Sequence, residues 1–263
     1  MENLELELFI FITIFIRIIS FFVTAPLFGR KNTPIIIKIG FSLLLTELLR
    51  SIMEKSVFNE QFIKVQANMY YFVLIIFKET ILGLMLGFIS YAIFTSIYFA
   101  GQLIDTEIGF GMVAEIDPLS NIQTPVSSNL YFIIAMVTFL TFKGHHVLIK
   151  TLFESFKSIP PGNAVFKDSL IDNLISIFGS VFIMGFKIAA PITVSILITD
   201  ISLGIISRAI PQFNVFIVGM PLKIAVGIGI MILSIPILIE LLTKMFSEIS
   251  NETQIFIEGM IIE

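Results

Sequence analysis

The chain has 263 residues, of which 56% are hydrophobic and 14% charged, with a mean hydropathy of +0.99; soluble domains are roughly 45 to 50% apolar and about 25% charged, so this is the composition of a membrane protein. A net charge of -4, from 16 Lys plus Arg against 20 Asp plus Glu with no basic block, lacks the electrostatic footprint that nucleic-acid binding needs. Zero cysteines exclude disulfides, thiolate nucleophiles and Cys-ligated metal centres, and zero Trp beside 28 Phe makes the aromatics packing material more than interfacial anchors.

In chain order, Met1 to Glu7 is acidic where a secretory signal is basic, and no small-residue cleavage site closes the run that follows. The first hydrophobic segment is therefore expected to be retained. It covers Leu8 to Leu27 and is followed by Ile35 to Ile52, Met69 to Phe99, Leu130 to Ile149, Leu174 to Thr199 and Val215 to Leu242. A helix needs about 20 apolar residues to cross a bilayer core of about 30 Å. These runs are continuous and lack the alternation of outer-membrane strands. The prediction is an all-α chain of about six long hydrophobic helices, kinked or broken where Pro191, Pro221 and Pro236 each remove a backbone donor. The spacings Gly83 to Gly87 and Gly185 to Ala189 mark candidate faces of close helix contact.

Ten charges lie inside these segments: Arg17, Lys38, Glu47, Arg50, Lys78, Glu79, Lys143, Lys187, Lys223 and Glu240. At about 2.5 to 3.5 kcal/mol each, exposing all of them to lipid would cost on the order of 30 kcal/mol, more than the stability of an ordinary domain. Glu47 with Arg50, and the neighbours Lys78 and Glu79, are candidates for local pairing. Snorkelling suits Arg50, Lys143 and Glu240. It does not suit Arg17, Lys78, Lys187 or Lys223; of these Arg17, Lys187 and Lys223 are expected to be sheltered by protein, with Lys223 and Arg208 in a polar junction near Asp200. With six crossings, Lys55, Lys64, Lys150, Lys157, Lys167 and Lys244 lie on one side against Arg30, Lys31 and Arg208 on the other, which leans toward both termini in the cytoplasm.

Between the third and fourth segments, residues 101–128 hold four acids and no base. Ile108, Phe110, Met112 and Val113 form an apolar cluster broken by Gly109 and Gly111, which open backbone angles closed to other residues. A solvent loop does not normally carry such a cluster. It docks as a buried re-entrant turn or plugs a hole, where Phe supplies bulk and Met an adaptable surface.

Catalytic constellations are missing. His145 and His146 are adjacent and point in different directions, unlike the i,i+4 pair that binds zinc. The sequence has no phosphate loop and no nucleophile elbow, so neither an enzyme, a metal site nor a cofactor is expected. A secondary transporter would also carry broken helices and intramembrane charges, but the two halves show no matched pair of interrupted segments.

Several motifs together carry a resemblance. Gly109-Phe110-Gly111-Met112 precedes Asp117-Pro118; then come Gly144-His145-His146-Val147-Leu148-Ile149, Ser155-Phe156 and Pro160-Pro161-Gly162. The stretch from Thr199 to Phe216, with Pro211-Gln212-Phe213-Asn214, leads into Gly219-Met220-Pro221-Leu222-Lys223. Near the start stand Arg17, Pro26-Leu27-Phe28-Gly29, Pro34 and Lys38. In this order, over nearly the whole chain, they resemble the FliR family of flagellar biosynthetic proteins. Lys38 stands where that family more often has Arg, and Thr46-Glu47 replaces a more apolar segment end; both bear on local packing.

The resemblance implies a subunit of the flagellar type III export gate in the bacterial inner membrane, at the flagellar basal body. The implied partners are FliP and FliQ homologues in a hetero-oligomeric helical cone, an FlhB homologue, and unfolded flagellar substrates. It further implies a FliP-like part over residues 1–173, including a plug loop at 101–128, and a FliQ-like helical hairpin and tail over 174–263. The loop residues Ile108, Gly109, Phe110, Gly111, Met112 and Val113 then become the gate. Arg17, Glu47, Lys187, Asp200, Arg208, Gln212, Asn214 and Lys223 become polar assembly residues. The equivalent subunit of a virulence injectisome is the variant reading; the histidine pair and the Pro211 to Phe216 run favour the flagellar branch.

Overall fold

The structure is a computed structural model that describes residues 2–26, 28–29, 33–53, 56–110, 125–167, 169–210, 212 and 214–260. Among the described residues there are eight α-helices and no strand: α1 (Glu2–Thr24), α2 (Ile35–Ile52), α3 (Ser56–Ala67), α4 (Met69–Ile108), α5 (Val126–Thr141), α6 (Gly144–Ser158), α7 (Ser169–Ala209) and α8 (Val215–Glu258). Helix is what this sequence dictates, because an apolar environment leaves the backbone no partner but itself. Pro34 and Pro125 start α2 and α5, where a missing N–H is harmless.

Among the described residues four helices are long and apolar enough to cross a membrane, over Leu4–Thr24, Met69–Ile108, Leu170–Ala209 and Ile217–Glu258. The expectation of six is corrected by two elements. α2 carries Lys38, Glu47 and Arg50 within 18 residues. The fourth segment is interrupted between α5 and α6, which make a fifth span only if taken together. At that interruption Lys143 adopts a φ of 55°, a left-handed backbone that costs a residue with a Cβ about 1 kcal/mol. The prolines do not break their helices: α7 runs on through Pro191, and α8 through Pro221 and Pro236. Each proline removes only one N–H from a helix of more than 40 residues.

The chain divides into two compact units. The first comprises Met1–Ala92, Lys143–Ile177 and Ser247–Glu263. In it α1 packs against α2 and α3. Phe9, Ile10, Thr13, Ile14, Arg17, Ile18, Phe21, Phe22 and Ala25 form one buried stripe along α1 and just past its end. Phe9 meets Phe62 at 5.7 Å, and Phe22 meets Phe28 at 4.6 Å. The Gly83 to Gly87 spacing lets α4 lie close on α1. A Cβ at Gly87 would come within 2.6 Å of the Phe21 carbonyl oxygen, and one at Gly83 would strike the carbonyl of Arg17. The short helix α3, outside the six hydrophobic segments, belongs here: Phe58 is buried and Phe62, one turn on, faces Phe9.

The second unit comprises Ile93–Phe142 and Phe178–Phe246. Phe94, Phe139 and Phe246 form its aromatic centre, with ring centroids 5.1 to 5.4 Å apart. A Cβ at Gly185 of α7 would come within 2.5 Å of the Phe99 ring of α4, so the second small-residue spacing also marks a close contact. Helices α4, α7 and α8 contribute residues to both units.

Candidate functional site

The loop expected to begin at Gly101 begins eight residues later, because α4 continues to Ile108. Ile97, Ala100, Gly101, Ile104, Asp105 and Ile108 are all buried, and their spacing of three and one is that of a single helix face. That stripe overrides the glycine and the polar residues around it. Gly101 is there for room: a Cβ would approach the Ser128 backbone nitrogen at 2.5 Å, so α4 and α5 touch at this point.

Asp105 closes the junction. One carboxylate oxygen accepts from the Ser127 N–H at 2.8 Å and the other from the Ser128 N–H at 3.4 Å, at the start of α5, where N–H groups lack helical partners and the helix dipole favours an anion. Its own carbonyl accepts from the N–H groups of Gly109 at 3.1 Å and Phe110 at 3.0 Å. Gly109 has a φ of 94°, a region open to glycine, and the chain leaves α4 there. Ile108 is fully buried, and a Cβ at Gly227 of α8 would lie 2.5 Å from its Cδ1 and 2.7 Å from its Cγ1. Ile108 therefore roots the cluster in this chain's own core, and Phe110 is half-buried. The remaining gate residues of the sequence reading, Gly111, Met112 and Val113, lie outside the described residues.

The polar assembly residues fall into separate places. Arg17 is fully buried with Glu79. Its Nε and Nη2 donate to the two Glu79 carboxylate oxygens at 2.6 and 3.1 Å, while Nη1 donates to the Ser155 carbonyl at 3.1 Å. The guanidinium carbon lies 4.1 Å from the centre of the Phe156 ring. Glu79 also accepts from the Gly162 N–H at 2.8 Å. Gly162, with a φ of 85°, turns the Pro160-Pro161-Gly162 segment toward that carboxylate. The local pair expected between Lys78 and Glu79 is replaced by this one, because Glu79 points into the core while Lys78 reaches the Gly162 carbonyl at 3.5 Å.

Glu47 is exposed and bonds Arg50 at 2.6 Å, which also bonds Glu7 at 2.8 Å. Hydrogen bonding to Glu47, reinforced by attraction to both carboxylates, raises the Arg50 pKa above its ordinary value. Lys223 Nζ lies 2.9 Å from Asp200. Arg208, Gln212, Asn214 and Lys187 are exposed on this chain, and Asn214 caps the start of α8 by accepting from the Ile217 N–H at 3.3 Å. The sequence reading missed Asp105, Ser155 and Gly162 as site residues; Asp105 was legible from its place in the buried stripe of α4, whereas the Ser155 and Gly162 contacts join positions more than 80 residues apart.

Residues 8–249 match the family described as bacterial export proteins, family 1. The chain is similar to the flagellar biosynthetic protein FliR of Bacillus subtilis, with 35% identity over 240 residues covering 90% of each chain. It is similar to the protein of that name from Escherichia coli, with 26% identity over 236 residues covering 90% of this chain and 88% of the relative. The Yop proteins translocation protein T of Yersinia pestis is 28% identical over 174 residues, covering 65% of this chain and 66% of the relative.

Proposed function

Because this chain belongs to the bacterial export proteins, family 1, and is thereby a membrane-embedded subunit of a type III export apparatus and not an enzyme, we propose that it is the FliR-type gate subunit of the flagellar export apparatus. In this reading it builds, with FliP and FliQ homologues and beside an FlhB homologue, the channel through which unfolded flagellar proteins cross the inner membrane. Residues 1–173 form the FliP-like part and 174–263 the FliQ-like hairpin and tail. The cluster of Ile108, Gly109, Phe110, Gly111, Met112 and Val113 closes the path. The flagellar branch is preferred to the injectisome one because the similarity to the Bacillus relative spans 90% of the chain and that to the Yersinia relative 65%.

The observation that supports assembly with other proteins is the outer face of α7. Phe178, Phe182, Phe186, Val194, Leu197, Ile201 and Ile205, all within the second unit, are exposed at steps of three, four or, across Ala190, eight residues. At 1.5 Å per residue this stripe runs for about 40 Å, beyond the roughly 30 Å of a bilayer core. Ordinary tilts of about 20° do not absorb the difference, and Lys187 is exposed within the same helix. Lipid alone leaves part of the stripe in water, whereas neighbouring subunits cover it. A channel wide enough for an unfolded chain also leaks ions unless an apolar constriction excludes water at rest, which is the role given to the Phe110 to Val113 cluster.

Purification in mild detergent tests the reading. Stoichiometric recovery of FliP and FliQ homologues with this chain is the expected result. A stable homo-oligomer without them would be the behaviour of a transporter and would overturn it.

A further inference from the structure

We infer that the outer face of the α7–α8 hairpin receives a helical partner of defined charge, an apolar helix surface that sets a carboxylate against Lys187 and a basic group against Glu240. This rests on the proposed assembly with other export subunits and names the chemistry by which one of them is recognised. All the observations lie within the second unit. Gly185 of α7 lies against the Phe99 ring of α4, and Lys187 follows two residues later, about 200° round the helix. Lys187 therefore stands on the side of α7 turned away from α4. Ile183, Lys187, Ala190 and Val194, at steps of four, three and four, are all exposed. α8 repeats the arrangement: Leu238 and Leu242 are buried, while Leu233, Ile237 and Glu240 are exposed.

The two charges lie at nearly one level of the hairpin. The Lys223–Asp200 pair joins the two helices. Lys187 is 13 residues from Asp200 and Glu240 is 17 residues from Lys223, about 20 and about 26 Å at 1.5 Å per residue. Contacts of α4 agree: Ile108 abuts Gly227 and Phe94 stacks on Phe246, and Phe99, between them, meets Phe182 and Phe186 of α7. Among the described residues neither Lys187 nor Glu240 forms an ion pair, although Lys244 stands one turn beyond Glu240. Both are at least 18 residues from either end of their helices, about 27 Å, too far for a side chain to snorkel to an end. Contact with lipid there is costly, and an uncharged protein surface would bury both charges without compensation. A surface carrying the inverse pair neutralises them, and one of the wrong sign is rejected. The apolar stripe alone would accept any helix; the charges make the choice.

The experiment purifies the full complex in mild detergent and reads the FliP and FliQ homologues recovered per copy of this chain. Lys187→Glu should lower that recovery about tenfold, since it sets two acids against each other in a covered site. Exchanging the charges, Lys187→Glu with Glu240→Lys, separates a partner from a pair within the chain. It should assemble no better than Lys187→Glu, because both charges then face like ones, whereas a Lys187–Glu240 pair would be restored. Replacing by Lys, in turn, each carboxylate in the apolar helices of the recovered subunits should rescue Lys187→Glu at one position. If the Lys187→Glu chain is not retained in membranes, Lys187→Cys takes its place: the chain has no cysteine of its own, and oxidation should link it to a cysteine put at one of those carboxylates. Normal recovery for Lys187→Glu overturns the inference and leaves assembly standing. So does rescue by the exchange, and so does the absence of any position that rescues or cross-links. If the intact chain recovers neither homologue, the assembly reading falls and the inference with it.

Discussion

Glu79 and Asp105 are both buried carboxylates on α4, 26 residues apart in one helix, and they are compensated in opposite ways. Glu79 faces a guanidinium through two hydrogen bonds and takes a third from the Gly162 N–H. That arrangement neutralises the charge and ties α1, α4, α6 and the Pro160 to Gly162 turn into one cluster. Asp105 has two backbone N–H groups and a helix end. Removing one member of a buried ion pair costs about 3 to 5 kcal/mol because it strands the other, whereas removing a helix cap costs about 1 kcal/mol. The first is a fixed joint of the fold. The second caps the start of α5 through two backbone donors.

The comparison can be broken at either end. The largest effect is expected from Glu79→Ala, which leaves Arg17 buried and unpaired; a loss of about 3 to 5 kcal/mol out of roughly 5 to 15 should deplete the chain from membranes and open it to protease. The double change Arg17→Met with Glu79→Leu should recover most of that loss, since apolar side chains replace buried pairs at little cost. Normal amounts and protease resistance for Glu79→Ala alone would contradict the fixed joint. Next, Gly227→Val should displace Ile108 at a cost of about 1 to 3 kcal/mol for overpacking, read as a lower melting temperature of the purified complex. Asp105→Ala should act locally: hydrogen exchange at the Ser127 and Ser128 amides should quicken while amides of α1 keep their protection. Uniform quickening across both helices would show that Asp105 is a general stabiliser. The smallest effect belongs to Asp200→Asn, because the Lys223 pair is 24% and 43% exposed and such pairs contribute about 0.2 to 1 kcal/mol. A measurable loss of complex assembly in that variant would assign the pair a larger role than its exposure supports.

Much of this was legible in the sequence, for identifiable reasons. Continuous apolar runs specified helices, and the cost of Arg17 in such a run specified shelter. Its partner was not legible, since Lys78 offered Glu79 a nearer cation and only the fold brings Arg17 and Glu79 together. Gly101 and the acids after it read as a loop, yet the spacing of Ile97, Ala100, Ile104 and Ile108 carried the helix onward and was available to inspection. The α5–α6 interruption was hidden because Lys143 to His146 is only a short polar gap between two apolar runs, and left-handed backbone at a lysine leaves no compositional trace. Lys187 illustrates a different limit: its shelter, if neighbouring subunits provide it, is written in their surfaces and not in this chain.

The central claim, that the cluster rooted at Ile108 closes a polypeptide path, is tested most directly by the ion conductance of membranes carrying the assembled complex with residues Gly109 to Met112 removed. The account predicts a resting conductance well above that of the intact complex, at normal recovery of the FliP and FliQ homologues. Unchanged conductance at normal recovery would contradict it and return the segment to a buried structural turn.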